Sequence, residues 1–232
     1  MSSTTLFSAV EMAPRDPILG LNEQYNADPN PAKVNLGVGV YFDDQGKLPL
    51  LQCVRAAEQA MMEKPAPRGY LPIDGIAAYD NGVKSLVFGA DSDVVQSGRV
   101  ATVQAIGGTG ALRIGADFLK KVSPNARVLI SDPSWENHRA LFTQAGFTVG
   151  TYRYYDADNR GINFAGFLAD LQAAPAETIV VLHACCHNPT GYDITPAQWD
   201  EVVQVVKSRK LTAFLDMAYQ GFGHGIAEDG AV

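Results

Sequence analysis

The sequence predicts an α/β fold, a mostly parallel sheet with helices on both faces. Three observations predict it. From about residue 50, short apolar runs rich in β-branched residues alternate with helical patterns. Those runs are mostly continuous, as expected of strands buried on both faces. Four of them are followed at once by polar segments bearing glycine or an aromatic residue. Such sheets gather their ligands at the carboxyl ends of their strands.

Composition narrows the class. The chain has 232 residues, 47% of them hydrophobic and 19% charged, enough for a sizeable core. A net charge of −7 argues against a partner held through its nucleic-acid backbone, which needs a basic face. No run approaches the ~18 apolar residues of a membrane helix, so no membrane partner is expected. The start, MSSTTLFSAVEMAPRD, lacks the pattern of a signal peptide. With an odd count of three cysteines, this favours a reduced, cytoplasmic setting.

Residues 1–45 are rich in Pro, Asn and Asp and read as an irregular arm. From there on, strand and helix patterns alternate. Strands are expected at 100–106, 127–131, 148–155, 178–183 and 211–216. Helices are expected at 51–64, 79–89, 109–121, 134–146, 163–174 and 195–210. The last has the clearest start. Thr195 can cap it, Pro196 suits its first turn and Gln198 completes a capping box. Trp199, Val202, Val203 and Val206 share a face at helical spacing and read as core.

The segments after the strands hold the candidate chemistry. GGTGALR (107–113) is a glycine-rich turn opening a helix. Gly108 and Thr109 would offer backbone and hydroxyl donors to a phosphate-sized anion; the plainer reading is a tight turn. Arg113 stands where a dinucleotide fingerprint needs its third glycine. In SDPSWENH (131–138), Trp135 could stack on a planar ring or simply pack. His138 shares its helix face. In DMAYQGF (216–222), Asp216 ends an apolar strand and needs a partner. It could cap the next turn or hold a protonated ring nitrogen of a cofactor. HACCHNPTG (183–191) sets Cys185 and Cys186 between His183 and His187, but adjacent cysteines match neither zinc spacing nor a C-x-x-C redox motif. No metal site is expected there. Asn188 offers both a donor and an acceptor.

Together with NLGVGVYFDDQGKLP (35–49) and RGYLPIDG (68–75), these segments, in this order, resemble one family: the pyridoxal-phosphate-dependent class I aminotransferases of the aspartate and aromatic amino-acid branch. The resemblance implies a small-domain segment in residues 1–45, a partial fold type I large, cofactor-binding domain over 46–232, and pyridoxal 5'-phosphate as cofactor. It implies amino transfer between an aromatic or acidic amino acid and a 2-oxo acid such as 2-oxoglutarate. Gly108 and Thr109 then correspond to phosphate binders and Trp135 to the residue stacked on the pyridine ring. Asn188 and Tyr219 correspond to the pair at the ring hydroxyl oxygen. Asp216 corresponds to the partner of the pyridinium nitrogen, with His138 and His183 behind it. Gly39, Trp135 and Asn188 correspond to substrate contacts. Tyr70 resembles the tyrosine that reaches the phosphate of the other subunit, which implies a homodimer. The bonds before Pro133 and Pro189 are expected to be cis. LPIDG, SDPSWENH and the text around HACCHNPTG lean toward the aromatic enzymes.

Family members carry the Schiff-base lysine in a Ser-x-x-Lys segment beyond the point matching Val232. The resemblance therefore covers the N-terminal part of such an enzyme and leaves the catalytic lysine unassigned. These 232 residues alone are expected to be inactive. Two later strands would separate 100–106 from 211–216, so a gap in the sheet with apolar edges is expected. A non-catalytic cofactor-binding remnant and, more distantly, a nucleotide-binding α/β domain stand as the alternatives.

Overall fold

A computed structural model describes residues 7–8, 10–11, 17–35 and 39–232. The chain divides into two compact units, 1–68 and 69–232. The first holds α1 (Pro17–Ala27) and α2 (Gln52–Glu63). Helix α1 corrects the expectation of an irregular arm. It starts on a proline, whose missing N–H costs nothing in a first turn. Its Asn- and Gly-bearing text had concealed it.

The second unit holds α3 (Ala77–Phe88), α4 (Asp93–Gln96), α5 (Gly107–Val122), α6 (Glu136–Gln144), α7 (Phe164–Ala173), α8 (Pro196–Arg209) and α9 (Ile226–Asp229). Its strands are β1 (Arg127–Asp132), β2 (Thr148–Arg153), β3 (Tyr155–Asp156), β4 (Gly161–Ile162), β5 (Ile179–His183) and β6 (Thr212–Asp216). Four form a parallel sheet in the order β2-β1-β5-β6, and β3 and β4 form a small antiparallel pair.

The continuous apolar runs of β1 and β5 are buried on both faces, and alternate residues serve opposite layers. Leu129, Val180 and Leu182 pack with Phe167 and Leu171 of α7 and Val202 and Val205 of α8. Val128, Ile130, Ile179 and Val181 pack with Ala116 of α5 and Phe142 of α6. Helix α8 carries the expected capping box: Gln198 N–H donates to Thr195 Oγ1 and Thr195 N–H to Gln198 Oε1. Its buried face differs by one residue from the expected one. Val205 is buried and Val203 is exposed, while Trp199 and Val206 pack at the margin.

The expected strand at 100–106 is absent. A strand exists by its ladder, and none of the described strands pairs with this segment. Gln104 N–H donates to Asp74 C=O instead. Val103 is 51% and Ile106 95% exposed. On the far side, β6 pairs only with β5 among the described residues, and its burial alternates. Leu215 is 47% exposed there, an unpaired apolar edge of the kind the sequence implied.

Candidate functional site

The parallel register brings three of the candidate segments to one end of the sheet. β1 ends at Asp132, and the last residues of β5 and β6, His183 and Asp216, are register partners. Ala184 N–H donates to Asp216 C=O, which carries the β5–β6 pairing one step beyond the strand. The bonds Asp132–Pro133 and Asn188–Pro189 are both cis.

Asp216 is the centre of the cluster. His138, fully buried in the first turn of α6, places Nε2 2.7 Å from Asp216 Oδ2. A carboxylate only accepts, so Nε2 carries the proton. Ser134 Oγ lies 2.9 Å from His138 Nδ1 and completes that ring. Trp135 meets His138 edge-on at 5.4 Å, as their spacing on one helical face predicts.

His183 is held differently. Asn188 N–H donates to its Nδ1 at 3.0 Å, so the neutral ring must carry its proton on Nε2. That Nε2 is buried without a protein partner. Burial, and then the neighbouring His138, push the His183 pKa down to about 4, so the ring is neutral near pH 7. His138, His183 and Asp216 offer donor atoms within 4.8 Å of one another. Their hydrogen bonds account for His138 and Asp216 without an ion.

One residue had no role in the sequence reading. His187 is buried and stacks on His183 at 4.1 Å and on Tyr154 at 4.0 Å. Its Nε2 lies 2.9 Å from Ser131 Oγ and its Nδ1 2.8 Å from Thr190 Oγ1. Burial, and then His183, push its pKa down to about 3. The sequence signal was its place four residues after His183, masked by the cysteines between. Asp193 supports the same loop by accepting Cys186 N–H and His187 N–H. Cys185 is buried, and burial, then Cys186, push its thiol up to about 12, which suits a packing role.

Gly108 and Thr109 lie in the first turn of α5, whose N-cap residue Ile106 makes no side-chain capping bond. No neighbouring atom would touch a Cβ on Gly108. Gly108 and Asp216 line one cleft of about 640 Å³, with Leu112, Phe214 and Ala218. Trp135 lines a separate cleft of about 190 Å³. Tyr219 is partly exposed, and its carbonyl lies 4.0 Å from Cys186 Sγ. Tyr70 is fully exposed. Gly39 is exposed in the first unit.

A four-stranded parallel sheet flanked by helices, with a histidine-backed carboxylate at its carboxyl end, defines an α/β protein. Residues 31–230 match the family described as aminotransferase class I and II, and the chain belongs to that family. It is 64% identical to an aspartate aminotransferase of Pseudomonas aeruginosa, over 98% of this chain and 57% of that one. It is 48% identical to the aromatic-amino-acid aminotransferase of Escherichia coli, over 97% and 57%. Its structure is similar to the crystal structure of the Burkholderia pseudomallei aromatic-amino-acid aminotransferase covalently bound to pyridoxal phosphate. That match has a TM-score of 0.92 at 65% identity, covering 98% of this chain and 57% of that one. The cytoplasmic aspartate aminotransferase of Saccharomyces cerevisiae matches with a TM-score of 0.89 at 40% identity, over 98% and 56%. The chain thus spans a little over half the length of these relatives. Among the described residues, no helix is long and apolar enough to cross a membrane.

Proposed function

We propose that this chain forms the cofactor-binding part of a pyridoxal-phosphate-dependent aminotransferase. The reaction is amino transfer between an aromatic or acidic amino acid and a 2-oxo acid such as 2-oxoglutarate. The observation that carries the reading is Asp216, at the end of β6 and bordering the large cleft, with His138 behind it at 2.7 Å.

The residues present fit pyridoxal phosphate. The uncapped start of α5 offers free backbone N–H groups, and with the Thr109 hydroxyl it suits a phosphate. Asp216 Oδ2 is engaged by His138, which leaves Oδ1 for a pyridinium nitrogen. The buried Nε2–H of His183 awaits an acceptor nearby, the kind of orphan a bound group or ordered water satisfies.

When bound, the cofactor supplies an electron-accepting ring. The protein's part is to hold it and set its charge. Asp216 keeps a ring nitrogen protonated, and His138 keeps Asp216 oriented and acceptor-only. Trp135 would pack against the ring, Asn188 and Tyr219 would hold the ring hydroxyl oxygen, and Trp135 and Asn188 would meet substrate. The exposed Tyr70 is available to the phosphate of a second subunit, which makes a homodimer the working assembly, and the setting is cytoplasmic. The relatives include both aspartate and aromatic enzymes at similar identity, so the two substrate classes stand together.

The test is cofactor binding by the chain itself. Trp199→Phe leaves Trp135 as the only tryptophan of the two. Pyridoxal phosphate is expected to quench its emission saturably, and Asp216→Ala to weaken binding by about tenfold, as for a lost charge-assisted hydrogen bond. Absence of saturable quenching, or an unaffected Asp216→Ala variant, overturns the reading. Saturable binding of NAD in its place would support a nucleotide domain.

A further inference from the structure

We propose that His187 is a positioning residue of the cofactor loop: by stacking on His183 it holds that ring's plane, and with it the Nδ1 that accepts the backbone N–H of Asn188. The inference deepens the cofactor-binding reading and rests on it for its functional meaning, though its geometry does not.

The His183 ring has one demanding duty. Its Nδ1 must accept Asn188 N–H at 3.0 Å, which sends the proton to Nε2. A tilt of the ring out of its plane would swing Nδ1 off the line of the Asn188 N–H and leave that donor unpaired. Side-chain torsions onto a flat ring are broad, so rotamer preference alone does not forbid that tilt. Something must hold the plane.

His187 lies against it, with ring centroids 4.1 Å apart and planes 27° apart. The other face of His187 rests on Tyr154 at 4.0 Å and 13°. Neither supporting ring is free. Tyr154 O–H donates to Tyr192 C=O at 2.7 Å. Thr190 Oγ1, which accepts Tyr192 N–H, lies 2.8 Å from His187 Nδ1, and Ser131 Oγ lies 2.9 Å from its Nε2. The main chain at His187 is pinned by Asp193. His187 therefore cannot rotate without breaking two side-chain hydrogen bonds, and with exposure of only 2% it has no water to replace them. Both its partners are neutral hydroxyls, so it serves as a fixed plate and not as a proton donor to the reaction. On the remaining side, His138 meets His183 edge-on at 5.1 Å. The series Tyr154, His187, His183, His138 thus runs from the core to Asp216.

The test reads the His183 ring directly, by long-range ¹H–¹⁵N spectra of the cofactor-free 232-residue chain near pH 7.5. The expected signature is a single Nε2–H tautomer for His183. His187→Ala is expected to replace it with a tautomer mixture, and His187→Phe, which keeps a stacking plate, to restore it. Pyridoxal phosphate, read by Trp135 quenching, is expected to bind roughly fivefold more weakly to His187→Ala, with recovery in His187→Phe. If His187→Ala does not fold, His187→Leu fills the space without a flat plate, and the same loss of tautomer is expected. An unchanged His183 signature in the variant read, or no rescue by phenylalanine, overturns the proposal. If the signature behaves as expected but unmodified chain does not bind pyridoxal phosphate, the cofactor reading fails and the positioning role stands.

Discussion

His138 Nε2 and Asp216 Oδ2, 78 positions apart in the chain, meet at 2.7 Å and tie the start of α6 to the end of β6. The contact costs both groups their water on one side, because His138 is fully buried and Asp216 partly so. It is therefore worth more as a constraint than as an ion pair. Replacing His138 with leucine strands a carboxylate at the sheet end without its donor. Urea unfolding should show a loss of roughly 1–3 kcal/mol. The double change His138→Leu with Asp216→Leu should recover part of it, since both polar partners leave together. Equal losses in the single and double variants would contradict this account.

Acid lability follows from the two stacked histidines. Their usual pKa of 6.5 falls in the folded chain to about 4 for His183 and about 3 for His187, with burial the main cause in each. Between those values and 6.5 the unfolded chain binds protons that the folded chain refuses. Stability is then full above about pH 6.5 and declines as pH falls toward 4 and 3. The slope approaches about 1.4 kcal/mol per pH unit for each ring. Urea midpoints measured from pH 7.5 to 4 should trace that decline, and His187→Gln should remove about one proton's worth of slope. A flat profile across this window would exclude the two rings as its source.

Thr195 offers a purely local test. Its hydroxyl oxygen accepts Gln198 N–H while Gln198 answers on Thr195 N–H, closing both ends of the capping box. Thr195→Ala should cost about 1 kcal/mol, and Thr195→Ser should cost little. Thermal unfolding of the two variants side by side separates the cap from any effect of lost bulk.

What was legible in the sequence follows from range. The strands β1, β5 and β6 and the helix α8 were legible because continuous apolar runs and a capping box are local signals. The pairing of His138 with Asp216 was implied only by the family resemblance, since a separation of 78 positions leaves no local trace of it. His187 was on the page but unread. Its role depends on Tyr154 and Ser131, which reach it only once β1, β2 and β5 lie side by side. The segment 100–106 shows the opposite failure. Its text is strand-like, yet a strand also needs a neighbour, and Val103 and Ile106 have none to cover them among the described residues.

Gly115 shows how closely α5 must approach the sheet beneath the candidate site. A Cβ added there would stand 2.9 Å and 3.0 Å from two ring carbons of Phe214, closer than real Cβ contacts. Phe214 has little room to yield, because its ring meets Phe142 edge-on at 5.3 Å in the buried layer. Phe214 lies two residues before Asp216 on β6, and the cleft it lines also holds Gly108 from the first turn of α5. A larger residue at 115 should thus push helix and strand apart and separate the phosphate end of the site from Asp216. Gly115→Val should destabilise by about 1–3 kcal/mol through overpacking. It should also weaken pyridoxal phosphate quenching of Trp135 under conditions where the variant remains folded. Gly115→Ala should cost less, because the gain in helix propensity, about 1 kcal/mol, offsets part of the strain. Trimming Phe214 to leucine in the Gly115→Val background should return stability and binding together. Failure of that compensation would place the effect of Gly115 somewhere other than its contact with Phe214.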